Sequence, residues 1–220
     1  MSKQILATVA SAFALAAGVS SVHAQDNPAG DAVNGQKKAA MCIGCHGIPG
    51  YRASFPEIHQ VPMISGQGAK YIVSALNAYK KGERKHPTMR GIAGSLSDQD
   101  MADVSAFYAS HQAPASTAVA PAPSAVVAEL LKKGNCASCH GEGLNKPIDG
   151  SYPKLAGQHA DYLFVALKAY KVENNPNVGR GNAIMGGMAK PFSNAELQSL
   201  ASYIGSLPSD LQVVPNAKFR

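Results

Sequence analysis

Tryptophan is absent from this 220-residue chain, and cysteine is limited to four residues. Charged residues make up only 15%, aromatic residues 6%. Outside the extreme N-terminus no apolar run approaches the length of a membrane-spanning helix, which excludes a multi-span membrane protein. Low charge combined with 45% hydrophobic residues argues against a disordered chain. The basic excess is modest, a net +6, and with the export signal described next it argues against nucleic acid as a partner. The length suggests one or two domains.

What is present begins with an address. Lys3 supplies a short positive region, Ile5 to Val19 is uncharged and apolar or small, and Val22-His23-Ala24 offers a small-x-small cleavage site. This is the secretory signal pattern, assigned to residues 1–24. The alternative is an uncleaved anchor, but the run is short and Ala-rich for a span of about 20 residues. Either reading exports the body of the chain.

That body repeats itself. Cys42-Ile43-Gly44-Cys45-His46 recurs as Cys136-Ala137-Ser138-Cys139-His140, 94 residues on. Gly66-Gln67 through Tyr71 resembles Gly157-Gln158 through Tyr162, and Ala78-Tyr79-Lys80 recurs as Ala169-Tyr170-Lys171. Met89 recurs as Met185, and Leu96-Ser97 as Phe192-Ser193. Between the copies, Pro114, Pro121 and Pro123 stand among Ala, Ser, Thr and Val, a linker composition. The boundaries drawn from this are domain one at 25–112, linker at 113–124 and domain two at 125–220.

The periodicity is helical. Ser97 with Asp100 and Ser193 with Glu196 are capping patterns. Met101, Val104 and Tyr108 follow the first, and Leu197, Leu200 and Ile204 the second, at helical spacing. Tyr71 to Tyr79 and Tyr162 to Tyr170 stripe another helix in each copy, and short helices are expected before each Cys motif. Strand-like alternation is nearly absent, so the fold class is all-α, with Gly- and Pro-rich loops wrapping something.

Cys-x-x-Cys-His is the spacing of c-type haem attachment. Two thiols three residues apart on a helical turn bond to the two vinyl groups of one haem, and the next histidine reaches the iron. Cys42, Cys45, Cys136 and Cys139 are therefore read as attachment sites for two haems c, with His46 and His140 as proximal ligands. An all-thiolate zinc site or two redox disulfides are the alternatives, and neither explains a histidine after both pairs. Each domain of roughly 90 residues is small for a self-sufficient core, a shortage that a covalent cofactor fills.

The second axial ligand should recur in both copies ahead of the last helix. Met89 and Met185 meet that condition, each seven residues before Leu96 or Phe192. Met188 is the rival in domain two, with Ile92 as its counterpart, and Met101 reads as core. His59, His86, His111 and His159 lack a repeated histidine and read as surface or loop residues. Pro62 and Pro153 align, and a carbonyl there would orient the proximal imidazole; the alternative is a simple turn. Tyr71, Tyr79, Tyr162 and Tyr170 read as packing, against haem or the last helix, rather than as electron relays. Lys80 to Lys85 reads as a solvated basic run able to dock an acidic partner, and its counterpart Lys171 to Asn175 lacks that charge.

At these motifs, and especially at Leu96-Ser97-Asp98-Gln99-Asp100-Met101-Ala102-Asp103, the sequence resembles the cytochrome c4 family, exported dihaem cytochromes of bacteria. The resemblance implies two tandem class-I cytochrome c domains related by a pseudo-twofold axis. It also implies a periplasmic electron carrier between a cytochrome bc complex or another donor and a terminal oxidase, with possible peripheral membrane association. Ile48 to Met63 is longer than its counterpart and departs from the pattern. With both axial positions filled, no substrate reaches the iron, so the expectation is a carrier and not an enzyme. The competing classes are a haem subunit of a periplasmic dehydrogenase and a dihaem peroxidase, which would need a vacant or releasable iron site.

Overall fold

The computed structural model describes residues 28–114 and 117–215; the signal segment 1–24 lies outside the described residues. Helices dominate both halves. In the first, α1 (Ala32–Lys38) starts at Asp31, whose carboxylate accepts from the Val33 and Asn34 amides at 2.7 and 3.0 Å. It runs into α2 (Ala40–His46), which carries the first Cys motif. Then come β1 (Arg52–Ala53), β2 (His59–Gln60), α3 (Ala69–Lys80), α4 (Pro87–Gly94) and α5 (Asp98–Ser110). The second half holds α6 (Ala125–Gly134), α7 (Ala137–His140), a 3-10 turn at Glu142–Leu144, α8 (Ala160–Tyr170), α9 (Ala183–Ala189) and α10 (Asn194–Gly205).

The expected capping boxes are present. Ser97 accepts from the Asp100 amide while Asp100 returns a bond to the Ser97 amide, and Ser193 with Glu196 repeats the arrangement. The stripes they launch are the centres of two separate cores. Met101, Val104 and Tyr108 of α5 pack with Ile72, Leu76 and Leu96. Leu197, Leu200 and Ile204 of α10 pack with Leu130, Leu163 and Phe192.

In the first domain α1 lies directly on α5. A Cβ at Gly35 would meet the Asp103 carbonyl oxygen at 2.0 Å, so only glycine permits this approach. The Asp103 carboxylate latches the contact: it pairs with Lys38 at 2.7 Å and accepts from the Asp31 amide and Gln99. These partners, Lys38 first, hold its pKa down to about 2. Gly35→Ala should cost domain one about 2 kcal/mol by forcing the helices apart. Thermal unfolding would then separate into two steps, with domain one melting first.

A small departure from an all-helical chain lies where the first copy is longer. Within residues 48–63, β1 and β2 pair antiparallel, Arg52 with Gln60 and Ala53 with His59. This hairpin rests on α8 of the other domain. The Gln60 amide donates to Asp161 Oδ2 at 2.9 Å, Arg52 approaches the same carboxylate, and Glu57 ion-pairs with Lys168. A strap returns from the second domain to the first: the Gln212 amide donates to Ser65 O and its side chain to His111 O.

The two domains face each other across a pseudo-twofold axis. Gln67 and Gln158, 3% and 4% exposed, each bind the backbone of the opposite domain in both directions. Gln67 takes the Lys154 amide at 2.9 Å and donates to the Lys154 carbonyl at 3.0 Å. Gln158 does the same with Met63, at 3.0 and 2.9 Å. Arg84 and Arg180 form an isolated antiparallel bridge with each other. A residue that bridges to its own repeat counterpart lies on the symmetry axis.

Candidate functional site: two repeated sets of thiols, imidazole and thioether

Cys42 and Cys45 sit one helical turn apart on α2, and Cys136 and Cys139 occupy the corresponding turn at α7; all four are free and partly exposed. Cys42 packs against the first core and Cys136 against the second. Burial, the leading influence, pushes both of these thiols up. The two pairs belong to different domains, and among the described residues no three of His, Cys, Asp or Glu gather into a metal-binding group. The all-thiolate zinc alternative therefore has no site here.

The histidine of each Cys motif meets the carbonyl of its aligned proline. His46 Nδ1 lies 2.7 Å from Pro62 O, and His140 Nδ1 lies 2.9 Å from Pro153 O. A carbonyl only accepts, so Nδ1 carries the proton and Nε2 keeps a free lone pair in both rings. Burial holds both imidazoles below their ordinary pKa, against the opposing pull of the proline carbonyl. The neutral form is the one that ligates a metal.

Met89 and Met185 occupy the same place in their helices, the third residue of α4 and of α9. Each backbone amide is caught by the side chain that caps the helix. Met89 N donates to His86 Nδ1 at 3.3 Å, and Met185 N donates to Asn182 Oδ1 at 2.9 Å. Met89 packs against the first core. His46 lies within electrostatic reach of His86, so its imidazole and the Met89 helix face one neighbourhood. Met185 is half-buried, whereas the rival Met188 is 38% exposed, and Met101 is fully buried core.

Three readings of the sequence are corrected by the structure. His59 is not a surface residue: it is 4% exposed, in the second strand of the hairpin, with its ring 6.0 Å from that of Tyr162. His86 is a helix cap. The basic run Lys80 to Lys85 is not a free docking face, because Arg84 turns into the domain interface and the Lys85 amide bonds to Gly179 O. The counterpart of Arg84 is Arg180, beyond the segment that simple spacing aligns with it. Each precedes its methionine by five residues, a signal that a methionine-anchored alignment would have found.

These arginines organise the four tyrosines. Arg84 donates to Tyr71 OH at 3.2 Å and stacks over the Tyr71 and Tyr79 rings. Arg180 donates to Tyr162 OH at 3.0 Å and stacks over Tyr162 and Tyr170. Burial pushes Tyr71 up to about 12, with Arg84 pulling the other way. Among the described residues neither guanidinium has a carboxylate partner. Two desolvated cations without a counter-charge at a domain interface are costly unless anions arrive. A pair of groups that each carry carboxylates fits this site, as the thiols, imidazoles and thioethers fit haem c.

The comparisons with known proteins agree. The cytochrome c family model matches residues 32–112 and again 124–208. The cytochrome c4 of Azotobacter vinelandii is 36% identical over 200 residues, covering 81% of this chain and 90% of that protein. The chain belongs to the cytochrome c4 family. The crystal structure of reduced recombinant cytochrome c4 from Pseudomonas stutzeri aligns at a TM-score of 0.60 with 30% identity, over 81% of this chain and all of that one. A protein named thiosulfate dehydrogenase electron acceptor, from Stutzerimonas stutzeri, is 32% identical over 186 residues, 79% of this chain and 82% of that protein. As a cytochrome c4, the chain is a dihaem electron-transfer protein with two covalently attached haems c.

Proposed function

We propose that this cytochrome c4 is an exported shuttle whose two haems are each held by one set of repeated residues. Cys42, Cys45, His46 and Met89 hold the first; Cys136, Cys139, His140 and Met185 hold the second. The observation that carries this reading is the duplicated constellation itself: a thiol pair, an imidazole pinned by a proline carbonyl, and a methionine fixed at the third position of a capped helix. Haem c supplies the one-electron couple. The prolines fix each imidazole's tautomer and orientation, leaving Nε2 to ligate. Met89 and Met185 would be the second protein ligands of the two irons, which would raise the reduction potential and deny the iron to substrates. Arg84 and Arg180 would receive the haem carboxylates at the interface, which would relieve two unpaired cations.

Donors in this reading are a cytochrome bc complex or a periplasmic dehydrogenase, and the acceptor is a terminal oxidase. The likeness to an electron acceptor of thiosulfate dehydrogenase favours the dehydrogenase as one donor. Export rests on the signal pattern at residues 1–24. Among the described residues no helix is long and apolar enough to cross a membrane.

Expression of the full chain beside a haem-maturation system tests the reading. Two covalent haems per chain, both with the methionine–iron absorption band and neither binding carbon monoxide, are expected. Carbon monoxide uptake at one haem of the unmodified protein would give the peroxidase class the better claim.

A further inference from the structure

The two domains hold their axial methionines differently. In domain two the cap is Asn182, whose short side chain acts within its own helix end. In domain one the cap is His86, and its ring has further contacts. Phe55, at the tip of the hairpin, stands edge-on to it with centroids 5.6 Å apart, and Tyr79 stands edge-on from α3 at 6.5 Å. The hairpin that carries Phe55 is anchored in the other domain, at Asp161, by the Gln60 amide and Arg52. A continuous set of contacts therefore runs from α8 of domain two, through the hairpin and the His86 ring, to the Met89 amide. Among the described residues no hairpin leads to Met185; the interdomain contact nearest its cap is the Gly181 amide, which donates to Glu83 O of domain one at 2.7 Å.

We propose that His86 is a positioning residue through which the docking of domain two tightens the axial methionine of domain one. The inference rests on Met89 being the ligand of the first haem. A helix cap contributes enough that its loss alters an equilibrium by about five-fold. The hairpin acts on that cap by restricting the imidazole to the rotamer that faces the Met89 amide. The Asn182 cap of Met185 has no hairpin behind it, and the other domain meets it only through the backbone of the preceding Gly181. The two methionines are thereby unequal in lability although their ligand sets are identical, and only the first senses the hairpin's contact with domain two.

Imidazole competes with methionine for ferric haem, so its affinity at each haem reports how firmly each methionine is held. In the full holoprotein the two sites can be followed separately by proton magnetic resonance, with signals assigned through Met89→Ala and Met185→Ala. Phe55→Ala and Asp161→Ala are each expected to raise imidazole affinity at the first haem two- to five-fold and leave the second unchanged, although Asp161 belongs to domain two. His86→Asn, which copies the other domain's cap, should restore a local cap and abolish the effect of adding Asp161→Ala. Three results would overturn the inference. These are no change at the first haem in either single variant, equal changes at both haems, or a full Asp161→Ala effect in the His86→Asn background. If the unmodified first haem shows no methionine–iron signature, the ligand reading fails and this inference with it. An intact signature with unaltered affinities sinks the coupling alone.

Discussion

Met89→Ala and Met185→Ala should each remove half of the methionine–iron absorption, open one iron of the pair to carbon monoxide, and lower the reduction potential of that haem alone. Loss of a thioether leaves the iron with the histidine and a weakly held solvent ligand, so the stabilisation of the reduced state by methionine disappears. Both methionines sit at the third residue of a short helix whose cap fixes the backbone amide. Alanine there keeps the cap and the helix, and the change stays local to the ligand. Met188→Ala is the control. Its side chain is exposed, so truncation should leave band, potential and carbon monoxide reactivity unaltered. A redox titration followed optically, with and without carbon monoxide, reads all three variants. If Met188→Ala rather than Met185→Ala opened the second iron, the assignment by repeat position would be wrong.

Much of this arrangement was legible because duplication turns one sequence into a two-member comparison. Cysteines, histidines, methionines and the prolines behind the histidines recur in a fixed order, and capping boxes at Ser97 and Ser193 locate the last helix of each domain by local chemistry alone. Legibility ended where meaning depends on the partner domain. Arg84 sits in a lysine-rich stretch that reads as a solvated face; only the fold brings Arg180 opposite it, because residues added before Arg180 disguise the match. His59 looks like a loop residue until the hairpin folds down on Tyr162. Gln67 and Gln158 recur two residues ahead of α3 and α8. Their work lies across the interface, with Lys154 and Met63, and no local pattern announces a bond between segments 87 and 95 residues apart. Local signals encode helices and ligands, whereas the docking of the domains is written in long-range polar contacts.

Those two glutamines should also carry the largest effect on the assembly. In the double variant Gln67→Ala with Gln158→Ala, both domains should still fold and hold haem, but their mutual docking should fail. Each side-chain amide satisfies one N–H and one C=O of the opposite backbone, and each is almost wholly buried. Alanine makes no bond and is too small to fill the space. It strands an amide and a carbonyl at Lys154 or Met63, and a buried unsatisfied backbone group costs about 1–3 kcal/mol. One substitution should therefore weaken docking by roughly 2–4 kcal/mol, the sum of two such groups after partial rescue by water. The pair should come close to additive, because the two glutamines serve different partners. The hairpin's ion pairs with Asp161 and Lys168 are partly exposed and offset little of this loss. Small-angle scattering should report a larger radius, calorimetry two independent transitions, and electron exchange between the haems should slow. Glutamate at either position would be worse than alanine. Its carboxylate still accepts from the opposite amide, but it cannot donate to the opposite carbonyl, and it buries a charge beside it. Asparagine, one methylene shorter, separates reach from chemistry. If it restores docking, the contact tolerates movement of the domains; if it behaves as alanine does, the separation of the two domains is fixed to within a single carbon–carbon bond.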